Sequence, residues 1–230
     1  MQAIQYIYIK ENFHLKDKDN TMTFLETEHA IRQLAKAHKA DLDKKVTDRM
    51  EEMKKDDLSH FLIYSALGVS IKEGKNIDLY QNKGRFLYRH AGSFLEKAVK
   101  LCFTKKNPSA KSVKIKNSIG LRPKTFEIDC LDGENAYEIK WRDATTDGDH
   151  ITKEHTRIKT IANSGLIPIR LMFFKPNRGQ AIKIQDTLKT LYEGVNGKYY
   201  AGEDAWSYIK NETKIDLKKI IKTIASENQS

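Results

Sequence analysis

The chain is 230 residues long, enough for one large domain or for a core with a smaller helical lobe. Its 41 Lys and Arg against 31 Asp and Glu give a formal charge of +10 and a pI near 9.3, a balance that favours a polyanionic partner. Cys102 and Cys130 are the two cysteines; they lie far apart in apolar patterns and indicate neither a zinc site nor a disulfide framework.

In chain order, residues 1–10 are too polar and too short for a signal peptide, and no run approaches the ~18 apolar residues of a membrane helix. A cytoplasmic location with no membrane partner is therefore expected. Residues 1–83 read as an N-terminal strand and a helical lobe packed on the core. Thr23, Phe24, Leu25 and Glu26 offer a capping box for a long charged helix reaching toward Lys55, and a second apolar helix spans about 58 to 67. A packed helical pair supporting a sheet is the simplest role for this lobe; dimerisation or clasping of DNA is the alternative.

Residues 84–175 read as the core. Over 84 to 103, Phe94, Leu95, Ala98, Leu101 and Cys102 fall at helical spacing. A strand candidate follows at 112 to 116. Between 105 and 124 there are seven basic residues and no acid: Lys105, Lys106, Lys111, Lys114, Lys116, Arg122 and Lys124. This stretch is either a phosphate-tracking segment or a solvated loop, since exposed lysine is common in loops. Two alternating segments, 125 to 131 and 136 to 141, flank Asp132, Gly133, Glu134 and Asn135, which is the pattern of a β-hairpin. A loop from 142 to 149 leads into a helix from 150 to 162 that Gly165 ends. The nearly continuous apolar run 166 to 174 reads as a buried central strand with Pro168 at its start. Residues 176–230 read as C-terminal helices of the same domain, with apolar residues at helical spacing (Ala205, Trp206, Ile209, then Ile215, Leu217, Ile220, Ile221).

Six segments read Asp/Glu-x-Lys, but only Glu138-Ile139-Lys140 lies on a strand paired with a second acidic strand. Because strand side chains repeat every two residues, Glu127 and Asp129 should share one face of the first arm, and Glu138 and Lys140 one face of the second. A four-residue loop sets Asp129 opposite Glu138; a two-residue turn at Asp132-Gly133 sets Glu127 there instead. Facing carboxylates repel, so a compensating cation is expected. Mg²⁺ takes one or two protein carboxylates and keeps water and substrate phosphate in its other positions. Lys140 would then face the scissile phosphate and the attacking water. The competing reading is a pair of ordinary solvated residues on the open face of an antiparallel sheet.

Other chemistries lack their motifs. No HExxH occurs, and His150 and His155 are five apart, which misses the i, i+4 zinc geometry. There is no P-loop or GxGxxG, so no nucleotide cofactor is expected, and no GxSxG elbow.

The order helix, three strands, helix, strand, with an acid on the second strand and Glu-x-Lys on the third, resembles the PD-(D/E)xK nuclease superfamily. The string from Tyr137 through Trp141, Arg142, Asp143 and Asp147 to His150, and the string Gly202-Glu203-Asp204-Ala205-Trp206-Ser207-Tyr208-Ile209-Lys210, are similar to ApaLI-like restriction enzymes. The resemblance implies an α/β fold with a restriction-endonuclease-like core, a central mixed sheet flanked by helices, beside the N-terminal helical lobe. It implies a type II restriction endonuclease: a Mg²⁺-dependent, site-specific deoxyribonuclease acting on double-stranded DNA as a homodimer. Asp129, Glu138 and Lys140 would be the catalytic set. Asp129, Glu138 and the Ile139 carbonyl would hold metal, with Glu96 or Glu127 as further candidates. Ile128 stands where the motif has proline, which keeps Glu127 a rival for the first position. DNA contacts are expected from Lys111, Lys114, Lys116, Arg122, Arg142, Thr145, Thr146, His150, Lys153 and Arg178. The alternatives are a repair or junction-resolving nuclease of the same core, and a noncatalytic basic nucleic-acid-binding protein.

Overall fold

The computed structural model describes residues 2–120, 122–142 and 148–229, with 2–23 and 148–150 described by their backbone alone. In chain order the elements are α1 (Gln2–Met53), α2 (Phe61–Ala66), α3 (Ile71–Lys106), β1 (Lys111–Lys116), β2 (Thr125–Asp132), β3 (Asn135–Arg142), α4 (Gly148–Asn163), β4 (Ile167–Phe174), α5 (Gly179–Glu193), β5 (Lys198–Ala201), α6 (Glu203–Thr213) and α7 (Leu217–Glu227). Two compact units divide the chain: residues 33–94 form one, and residues 1–32 with 95–230 form the other.

The larger unit is built on a five-stranded sheet of order β1-β2-β3-β4-β5. β1, β2 and β3 pair antiparallel, whereas β3, β4 and β5 pair parallel, so the sheet is mixed and the fold is α/β. Parallel strands need cover on both faces, and the sequence supplies it. On one face, Leu95, Ala98, Val99 and Cys102 make a buried stripe along α3 at the spacing of an amphipathic helix. Phe103 of α3 stacks on Tyr137 of β3 at 4.3 Å between ring centroids, and Trp206 of α6 meets Phe173 of β4 edge-on at 4.4 Å. On the other face, Ile161 of α4 closes a cluster with Ile128 and Ala136, and α5 buries Ala181, Ile184, Leu188 and Tyr192. β4 lies between β3 and β5 and is almost wholly buried.

Several boundaries differ from the sequence expectation. Where an N-terminal strand is expected, the described backbone is helical from Gln2. The capping box at Thr23 does not start a helix, since α1 runs through it; a cap residue needs non-helical backbone, and here the helix continues upstream. The expected boundary at residue 84 falls inside α3, and β5 was not foreseen. Two glycines have steric reasons. Gly165 adopts φ +76° after α4, and a Cβ on Gly197 would lie 2.6 Å from the Pro168 carbonyl oxygen.

In the smaller unit, α2 seats Phe61 and Tyr64 against Gly74 of α3, where a Cβ would lie under 3 Å from both rings. Leu62, Ile63 and Leu67 remain exposed on the outside of this corner.

Candidate active site

The hairpin turns at Gly133-Glu134, with Gly133 at φ +60° and Asp132 paired to Asn135. The pairing Cys130 to Tyr137 follows, and continuing that register sets Asp129 across from Glu138. Between β1 and β2 the register slips: Lys111 pairs Leu131 and Val113 pairs Ile128. Two steps along β1 therefore match three along β2, a bulge at Asp129-Cys130. Such an insertion breaks side-chain alternation and re-aims what sits on it. Ile128 and Leu131, an odd number of residues apart, accordingly join the same cluster under α4. Strict alternation, which put Glu127 and Asp129 on one face, fails at this point. Glu127 stays exposed across from Lys114, while the Asp129 carboxylate accepts the Ile139 N–H at 2.8 Å.

Glu138 is not a solvated strand residue. It is 4 % exposed, and Arg170 of β4 is its neighbour in the parallel register. Its Oε1 lies 2.5 Å from Lys140 Nζ and contacts the Arg157 guanidinium. Both cations are within ion-pair reach of this buried oxygen and together compensate its charge. Burial acts to raise the Glu138 carboxyl, but Lys140, Arg157 and Arg170 outweigh it and hold it at about 2. The repulsion expected between the two acids falls on Asp129. Burial first, and then the Glu138 charge, push its carboxyl up to about 7. Lys140 is raised: burial opposes its charge, but Glu138 and Asp129 more than offset that.

Behind Glu138 lies a second layer that sequence reading did not identify as functional. Glu154 of α4 accepts from the Arg170 guanidinium at 3.2 Å and from the Tyr192 hydroxyl at 2.6 Å. Arg157, one turn along α4, has NH1 3.5 Å from the other Glu154 oxygen and its guanidinium 5.8 Å from the centre of the Phe126 ring. Arg170 has no exposure. Burial works against its charge, and Glu154, Tyr192 and Glu138 raise it. The signal for this layer was present: a lone arginine inside an apolar strand must find a buried acid, and Glu154 and Arg157 sit three apart on the next helix.

The remaining candidates are dispersed. Glu96 pairs with Lys100 at 3.7 Å, although its charge contributes to raising Asp129. Among the described residues no group of three or more His, Cys, Asp or Glu is arranged to hold a metal ion. Lys111, Lys114 and Lys116 are exposed along β1 at the edge of the sheet. Arg122, Lys153 and Arg178 are exposed, and Arg142 ends β3. Thr145 and Thr146 lie outside the described residues, as does the side chain of His150. Lys105 and Lys106, in the same basic stretch, are engaged with Glu26 and Glu212.

A family model described as ApaLI-like restriction endonuclease matches residues 15–226. No curated protein matches the chain, and no solved structure does.

Proposed function

Because the chain belongs to the ApaLI-like restriction endonuclease family, we propose that it hydrolyses phosphodiesters of double-stranded DNA at a specific sequence, with Asp129, Glu138 and Lys140 at the reacting centre. The observation that carries this reading is the bulge and hairpin register, which bring one raised carboxyl, one ionised carboxylate and one lysine together at the end of a buried strand pair. Raised and lowered carboxyls side by side are the mark of a functional site.

The residues fit a divalent cation. Mg²⁺ takes one or two protein carboxylates, and the register sets Asp129 and Glu138 across from each other, where the Glu138 charge acts against ionisation of Asp129 and a cation would relieve that repulsion. Asp129, Glu138 and the Ile139 carbonyl would hold it. When bound, Mg²⁺ polarises a phosphate oxygen and lowers the pKa of the attacking water. The chain's own part is positioning. Lys140, 36 % exposed at its side chain, is cationic, reaches solvent, and places positive charge where the phosphorane charge develops. Asp129 must lose its proton before it can act as a ligand. Its bond to the Ile139 N–H aims the carboxylate toward the Glu138 strand.

Exposed Lys111, Lys114 and Lys116 on edge strand β1 suit phosphate contacts, which position the duplex without reading it. Base contacts are proposed from the 142–150 segment, from Lys153 on α4 and from Arg178 at the start of α5. A palindromic target calls for a two-fold homodimer. Among the described residues no helix is long and apolar enough to cross a membrane, and a cytoplasmic enzyme is proposed. The test is plasmid nicking in Mg²⁺, in Ca²⁺ and in chelator. Wild type should cleave in Mg²⁺ only, and Lys140→Ala should not cleave. Cleavage by Lys140→Ala within a few-fold of wild type would remove the reacting centre from this hairpin.

A further inference from the structure

As a metal ligand, Glu138 faces a conflict of charge. Its Oε1 already touches two cations, Lys140 and Arg157. A divalent ion cannot join them at that oxygen without strong repulsion, since like charges at contact distance in a poorly solvated site repel steeply. One or both cations must leave. Lys140 is partly exposed and serves the phosphate side. Arg170 is fully buried and committed to Glu154 at 3.2 Å. Arg157 differs from both. It is 24 % exposed at its side chain, it rests over the Phe126 ring, and the guanidinium nitrogen that meets Glu138 lies only 3.5 Å from Glu154 Oε2. A small rotation would let it exchange one carboxylate for another while keeping its stacking surface.

We propose that Arg157 is a placeholder cation: it neutralises Glu138 in the metal-free protein, and a divalent ion takes its place there while Arg157 transfers to Glu154. This inference rests on the reading of Asp129 and Glu138 as metal ligands. Arg157 is a positioning residue in this scheme, acting on metal loading through Glu138. Its consequence is a low divalent-ion affinity in the DNA-free enzyme.

The test is calorimetric titration of the full-length, DNA-free protein with Ca²⁺. Arg157→Gln, which keeps polarity and removes charge, should tighten Ca²⁺ binding by about tenfold or more, as expected when a competing charge is removed. Arg157→Lys should return affinity toward wild type. A residue that merely braces Glu138 would give the opposite sign, and weaker or unchanged Ca²⁺ binding in Arg157→Gln would overturn the proposal. If that variant fails to fold, arginine side-chain NMR of the wild type decides, with the Arg157 signal assigned through Arg157→Lys. Saturating Ca²⁺ should shift that signal, and an unmoved Arg157 would overturn the proposal. Glu138→Gln separates the two levels. Binding that Glu138→Gln abolishes but Arg157→Gln does not tighten defeats the placeholder alone, whereas binding indifferent to Glu138→Gln defeats the ligand assignment and the placeholder together.

Discussion

Replacing Asp129 with Asn should stabilise the metal-free protein, increasingly as pH rises from about 4 to about 7. The folded-state carboxyl is raised from 3.8 to about 7 by burial and by the Glu138 charge. Below pH 4 the group is protonated in both the folded and unfolded states, so it contributes no difference. Between about pH 4 and pH 7 the folded state keeps a proton that the unfolded state has released, and stability falls as pH rises by ~1.4 kcal/mol per unit. Above pH 7 the cost is complete. A shift from 3.8 to about 7 sets a ceiling of ~4 kcal/mol, and the partial exposure of Asp129 discounts this to roughly 2–4 kcal/mol through solvent screening. Asn retains an oxygen to accept the Ile139 N–H, so the ladder position stays filled. For a chain of this size each kcal/mol moves Tm by about 2–4 °C. Asp129→Asn should therefore melt roughly 4–16 °C above wild type at pH 8 in chelator, and level with it near pH 4. Scanning calorimetry across that range measures both ends. A variant that melts lower than wild type at pH 8, or a gap that does not close on acidification, would refute the clustered-carboxylate reasoning.

Three further outcomes follow from the same geometry. Arg170→Met leaves the Glu154 carboxylate buried without its guanidinium, and urea unfolding should show a loss of ~3–5 kcal/mol; a loss under 1 kcal/mol would mean that Tyr192 and Arg157 suffice. Ca²⁺ affinity of the DNA-free wild type should rise by up to about tenfold per pH unit below pH 7 and level off above it, because Asp129 must deprotonate to bind; a flat profile by titration calorimetry from pH 5.5 to 8 would take Asp129 out of the ligand set. The triple change Lys111→Ala, Lys114→Ala and Lys116→Ala should weaken target and nontarget DNA about equally and flatten the salt dependence by up to ~0.9 log units for each phosphate no longer neutralised. An unchanged slope in fluorescence anisotropy would show that β1 does not meet the backbone.

The sheet was legible because its strands carry their own punctuation. Alternating arms around Asp132-Gly133 and the apolar run of β4 gave the hairpin and the central strand within a residue or two, and the buried stripe of α3 was visible as helical spacing. The pairing of Asp129 with Glu138 was one of two readings. What separated them was the turn at Gly133-Glu134 and the bulge beside Asp129, neither of which follows from a count of alternating residues. The burial of Glu138 was also missed, since a Glu-x-Lys strand looks solvated until its parallel neighbour is known. Parallel pairing of β3 with β4 is a long-range fact, and it is what brings Arg170 beside Glu138. The N-terminal strand failed for a related reason: β-branched and aromatic residues such as Ile4, Tyr6, Ile7 and Tyr8 favour strands only weakly outside a sheet context, and here they lie in α1.

The most direct test of the central assignment is digestion of a long, fully mapped DNA by purified protein in Mg²⁺, with Glu138→Gln run beside it. Sequence-specific hydrolysis at this site predicts a fixed set of discrete fragments from wild type and intact DNA from Glu138→Gln. Intact DNA from wild type, a continuous smear, or the same discrete fragments from both proteins would contradict it.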